Sequence, residues 1–180
     1  MSRYIAFLRG INVGGNNIIK MDALKKMFLS FGLKEVKTYI QSGNVIFESA
    51  ESNSVKLRKS IEKKLGQALG YEVAVILRTQ AEMEVLVKLD PFKAFKPNAE
   101  EKMYVVLLCE EPQNKPKIPL LSAKEDVEVF QMSKLDALCI SRKKNGNFGF
   151  PNALIEKEMK VAATTRNWNT IIKILALAQI

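Results

Sequence analysis

Two helical stretches, each closed by a glycine, sit within the first 79 residues between short runs that read as strands. That order constrains the fold more than any other feature of the chain. In "MDALKKMFLSFG" the apolar residues Leu24, Met27, Phe28 and Phe31 recur at helical steps, and Gly32 stands where such a helix stops. "SVKLRKSIEKKLGQALG" repeats the device, with Leu57, Ile61, Leu65, Ala68 and Leu69 on one face and Gly70 at the end. "RYIAFL", ahead of the first helix, has the continuous apolar character of a buried strand. "EVKTYIQSGNVIFES" alternates at Val36, Thr38 and Ile40, breaks at Ser42-Gly43 and resumes from Val45 to Phe47, which predicts a hairpin. "YEVAVILRT" then supplies a last β-branched run. The resulting order, β-α-β-β-α-β, is that of a split β-α-β, or ferredoxin-like, unit. We therefore expect an α+β protein whose residues 1–79 form such a plait.

Residues 80–180 are less regular. They predict a helix over 80–88, a loop through "DPFKAFKPN", a strand over 103–109 and a proline-rich connector in "EEPQNKPKIP". "SAKEDVEVF" reads as a short helical piece running into a strand, "EVFQMSKLDALCISRKK" as a hairpin, and "NGNFGFPN" as a turn before helices at 152–160 and 167–179. The sum is a second, incomplete plait-like half, β-α-β-β-α-α, without a last strand.

In a split β-α-β unit the strands lie in the spatial order 4-1-3-2, so strands one and three are neighbours. The loop after strand one, the start of helix one and the hairpin turn then fall on one edge of the sheet. On that edge stand "LRGINVGGNNIIK" and "QSGN". The first amides of helix one have no intrahelical partners and carry the positive end of the helix dipole. Gly14 and Gly15 let the backbone turn or approach a ligand, Asn16 and Asn17 tolerate unusual dihedrals, and Arg9 and Lys20 flank the turn. Such a site suits an anion. The stretch is neither a P-loop, which needs Lys and then Ser or Thr after its second glycine, nor a G-x-G-x-x-G dinucleotide fingerprint. The candidate ligand-binding set is Arg9, Asn12, Gly14, Gly15, Asn16, Asn17, Lys20, Gln41, Ser42 and Asn44. The competing reading is that the asparagines cap helix one and bond the loop internally. Arg166 and Trp168, beside one another at a helix entrance, are added as a pair of the kind that holds a phosphate or a planar group.

The charge balance bears on the same question. The chain has a formal net charge of +9, and residues 1–79 hold 13 Lys and Arg against 6 Asp and Glu, a net +7. Such a field attracts anionic partners, including nucleotides and nucleic acid. Histidine is absent, which removes Ser-His-Asp and Cys-His catalysis and the commonest zinc ligand; no metal site or cofactor is expected. An enzyme built on this edge would use Arg9 and loop amides as a clamp and Tyr39 or Lys20 for proton transfer. Cys109 and Cys139 lie in apolar strand-like runs, where reduced cysteine behaves as a small hydrophobe. No run reaches the roughly 18 apolar residues of a membrane span, and "MSRYIAFLRG" lacks the pattern of a signal peptide. A cytoplasmic protein is expected. "SRKKNGNFGFPN" mixes basic and aromatic residues in the manner of single-strand binders, or else turns Phe148 and Phe150 inward.

At "YIAFLRGINVGGNNIIKM", "TYIQSGNVIF" and "TTRNWNTIIKI" the sequence resembles the bacterial family of domain of unknown function 1697. The resemblance implies a cytoplasmic bacterial protein of α+β plait-like architecture with no assigned reaction. It leaves three functions open: a binding module for a phosphate-bearing ligand, a small-molecule enzyme lacking histidine, and a structural or interaction protein.

Overall fold

The computed structural model describes every residue except Asn16, Lys96, Pro97, Ala123 and Glu125. It divides into two units, Met1–Val85 with Lys173–Ile180, and Leu86–Ile172. The expected division at 79/80 differs from this in two ways. The boundary falls inside a helix, and the end of the chain returns to the first unit.

The first unit runs β1 (Ser2–Leu8), α1 (Met21–Ser30), β2 (Lys34–Tyr39), β3 (Asn44–Ser49), α2 (Ser54–Leu69) and β4 (Val75–Thr79), followed by the start of α3 (Gln80–Lys88). Its sheet has the order β2-β3-β1-β4 with every neighbouring pair antiparallel, which is the expected 4-1-3-2. Side chains alternate across a strand, so Tyr4, Ala6 and Leu8 on β1, Val45 and Phe47 on β3, and Val75 and Leu77 on β4 share one face. They form one core with Leu24 and Phe28 of α1 and Leu57, Ile61 and Leu65 of α2. Phe28 meets Phe47 edge-on at 5.5 Å. Each such side chain contributes about 1.5–3 kcal/mol when fully buried. Asn53 caps α2 by accepting from the Lys56 amide at 3.0 Å. Gly70 ends it in a left-handed conformation, donating to the Gly66 carbonyl.

The second unit holds β5 (Glu101–Leu108), β6 (Leu120–Ser122), β7 (Val127–Met132), β8 (Asp136–Lys144), β9 (Asn147–Phe148), α4 (Asn152–Met159), β10 (Ala163–Asn167) and the first part of α5 (Trp168–Ala178). Its sheet order is β10-β5-β8-β7-β6, with β9 on β8. Two expectations are corrected here. The short helix expected in "SAKEDVEVF" does not form among the described residues: Ser122 ends β6, and Val127 begins β7. Ala123 and Glu125 lie outside the described residues. The missing last strand exists as well. Residues 163–167, expected as the approach to the final helix, pair with β5 as β10, Arg166 opposite Val105. Counting β5, β7, β8 and β10 as one to four, the second unit repeats the order 4-1-3-2. Its first helix is replaced by the connector between β5 and β7, whose Ile118 and Leu120 pack on the core of Val106, Val129, Cys139 and Ile155. Among the described residues no helix is long and apolar enough to cross a membrane.

Candidate functional site

Strand β1 ends at Leu8, and the chain then makes a tight excursion before α1 starts. Three contacts join this excursion to the β2–β3 turn, and further bonds brace it internally. The Leu8 amide donates to the Gly43 carbonyl at 2.9 Å. Ile11, buried, lies against Gly43. The Asn12 side-chain amide donates to the Gln41 carbonyl at 2.7 Å and to the Ile19 carbonyl at 3.0 Å. Its oxygen accepts the Ile19 amide at 2.7 Å, and its backbone amide reaches the Asn17 carbonyl. Asn12 thus ties three segments, 10–13, 17–19 and 40–42, into one surface. The Arg9 amide donates to the Ala74 carbonyl, which brings the loop before β4 to the same edge.

The left-handed backbone is concentrated here. Gly10, Asn12, Gly14, Gly15, Asn17, Ile40 and Gly43 all have positive φ. Glycine and asparagine reach that region at low cost; isoleucine does not. Ile40 nevertheless adopts φ +47 while remaining exposed.

The described candidate residues of the first unit fall into two groups. Asn12, Asn17, Ser42 and Asn44 are spent within the fold: the Asn17 amide donates to the Gly10 carbonyl, and the buried Asn44 donates to the Tyr39 carbonyl and to Oγ of the half-buried Ser42. Arg9, Gly14, Gly15, Lys20 and Gln41 are exposed on the edge. Asn16 lies outside the described residues. The asparagines do bond the loop internally, but none of the described ones caps α1. Its N-cap residue is Lys20, whose side chain makes no cap bond, whereas α2, α3 and α5 are capped by Asn53, Thr79 and Asn167. Asp22 stands in the first turn of α1 and opposes an incoming anion.

Three exposed aliphatic residues were not foreseen from the sequence. Val13 adjoins Asn12, and Ile18 and Ile40 are each one residue from a group bonded to it, so the edge is apolar as well as basic. Val13 and Ile18 were legible as aliphatics inside a polar loop, but nothing in residue type announced that Ile40 turns outward.

A cavity of about 620 Å³ opens at the C-terminal end of α2, lined among others by Glu62, Gly66, Tyr71, Glu72 and Ala74. Its two carboxylates outnumber the one ammonium of its lining, Lys63, and with the carbonyl end of α2 they disfavour a phosphate.

Arg166 and Trp168 belong to the second unit and are accounted for inside it. Arg166 is buried on β10, donating to Thr164 Oγ1 at 2.7 Å and to the Thr165 carbonyl at 2.8 Å, and burial lowers its pKa to about 10. Trp168 packs its ring on Phe92 at 5.2 Å.

A family model described as "Protein of unknown function (DUF1697)" matches residues 1–136. The matched span takes in both loops of the edge and leaves "TTRNWNTIIKI" outside it. No curated protein matches the chain. Among solved structures, a conserved bacterial protein from Streptococcus pneumoniae is similar over 100% of this chain and 99% of its own, with a TM-score of 0.69 and 22% identity. That likeness bears on the fold, which the two chains share.

Proposed function

The chain belongs to the DUF1697 family, and from that premise we propose that its first unit is a binding module for a phosphate-bearing ligand, a nucleotide or a nucleic acid, held on the edge formed by the 9–20 and 41–44 loops. One observation carries the reading. The side chain of Asn12 locks the two loops together, and the exposed cations Arg9 and Lys20 stand at the two ends of the loop that leads into α1, whose N-cap side chain makes no cap bond. Unsatisfied amides at the positive end of a helix dipole, with a guanidinium and an ammonium nearby, are complementary to a phosphate. The net +7 of residues 1–79 adds a long-range attraction for the same ligands. The reading assigns the protein to the cytoplasm, and the free thiols of Cys109 and Cys139 accord with that compartment.

A second reading, in which the loops only close the fold, is favoured by the asparagines, whose side chains are bonded to backbone. One titration separates the two. Adenosine triphosphate and labelled single- and double-stranded oligonucleotides are titrated at low salt against the protein and its Arg9→Ala/Lys20→Ala variant. The binding reading expects the variant to lose about tenfold or more in affinity and its oligonucleotide binding to depend less steeply on salt. Saturable binding of the triphosphate alone identifies a nucleotide site, and binding of the oligonucleotides identifies nucleic acid. If none of the three binds at low salt, the edge is a structural closure.

A further inference from the structure

The second unit carries a basic and aromatic face that shares no residue with the edge described above. Tyr104 on β5 lies opposite Cys139 on β8, and two residues along the same strands Lys102 lies opposite Ser141. Directly opposed residues in an antiparallel pair share a face, as do residues two apart along a strand. Lys143 therefore continues that face along β8, and Phe148 on β9, opposite Lys143, joins it. The Lys102 ammonium stands over the Phe148 ring, 4.2 Å from its centre. Phe150 follows β9 and meets Tyr104 edge-on at 5.6 Å, and it remains 53% exposed. Among the described residues it is the one aromatic side chain that is exposed. Lys102 and Lys143 on that face are exposed; the Lys143 backbone amide bonds the Glu100 carbonyl, while its ammonium meets the Glu100 carboxylate in a solvent-facing pair at 3.4 Å. Such a pair yields readily to a stronger anion.

From this arrangement we infer that the face binds single-stranded nucleic acid, a base stacking on Phe150 while neighbouring phosphates meet Lys102 and Lys143. Charge alone would suit any anionic chain. The exposed ring, held in place against Tyr104, suits one whose phosphates alternate with flat bases, and an aromatic platform among cations is how sequence-tolerant single-strand binding is built. A duplex keeps its bases stacked on one another and offers none to the ring.

The test is fluorescence anisotropy of a labelled oligothymidylate with the full chain at low salt. Phe150→Leu keeps an apolar side chain against Tyr104 and removes the ring; it is expected to weaken binding about tenfold, within the range measured for base–aromatic stacking. Phe150→Trp is expected to restore it. Lys102→Ala/Lys143→Ala is expected to flatten the salt dependence by about 0.7 for each phosphate that is no longer neutralised, which a purely structural role would not do. Arg9→Ala/Lys20→Ala, on the other unit, is expected to leave the Phe150→Leu effect unchanged, which separates this surface from the loop edge. Unaltered affinity in Phe150→Leu overturns the inference. So does equal binding of duplex, equal competition by polyglutamate, which would make the face a dock for an acidic protein, or no binding at low salt.

Discussion

Ile11 lies so close over Gly43 that a Cβ on the glycine would stand 2.5 Å from Ile11 Cδ1 and 2.8 Å from Ile11 Cγ1. Gly43 also holds φ +72, where any side chain is strained. Gly43→Ala therefore meets both a left-handed backbone penalty and overpacking against the side chain that joins the two loops. We expect it to lower the unfolding free energy by about 2–4 kcal/mol, read as an earlier midpoint in urea with an unchanged slope. Combining it with Ile11→Ala should recover the overpacking part; full additivity of the two losses would mean that the loops are not pressed together there.

Ile40 offers a substitution in the other direction. A β-branched residue at φ +47 is strained, and its exposed side chain gives little back. Ile40→Asn is expected to stabilise the protein by about 1 kcal/mol, a rise of a few degrees in Tm by calorimetry. A drop in stability would show that packing of the Ile40 side chain is worth more than the strain it imposes.

The two thiols should differ sharply in reactivity. Cys139 is buried on β8 and burial pushes its pKa up to about 12, whereas Cys109 is partly exposed. A thiol reagent at pH 8 is expected to modify one cysteine quickly in the native protein and the second only on unfolding. The pH dependence has a definite sign. Above about pH 9 the unfolded chain releases the Cys139 proton while the folded chain retains it up to about 12, so stability attributable to this group falls as pH rises through that window. Cys139→Val, compared with the parent by urea unfolding at pH 7 and pH 10, should lessen the fall; an unchanged difference would remove the thiol as its cause.

The first unit was readable because its helices are amphipathic along their length and stop at glycines, and because the hairpin breaks at Ser42-Gly43. Topology then made the meeting of two loops legible before any bond between them was known. The particular bonds were not. Asn12 and Asn17 differ little as residues in a loop, yet Asn12 bridges to the Gln41 carbonyl while Asn17 returns to Gly10. In the second unit, β10 was hidden by composition. "ATTRN" has no apolar alternation, and it forms a strand because β5 supplies the pairing and Thr164 and Thr165 supply backbone and hydroxyl partners for Arg166 and Asn152. Tertiary pairing outweighed the local resemblance to a capped helix start. Phe150 was open between outward and inward placement, and residue type alone could not decide it.

The bonds radiating from Asn12 have a consequence for anything that meets the loop edge. A glycine-rich turn left to itself samples many conformations, and a partner must freeze it at an entropic cost. Here Asn12, Ile19 and Gln41 are already tied to one another, and Leu8 to Gly43, when the chain folds, so association can proceed with less of that cost. The same linkage runs backward: a ligand that grips both loops resists their separation, and its affinity would register as heat resistance of the whole first unit.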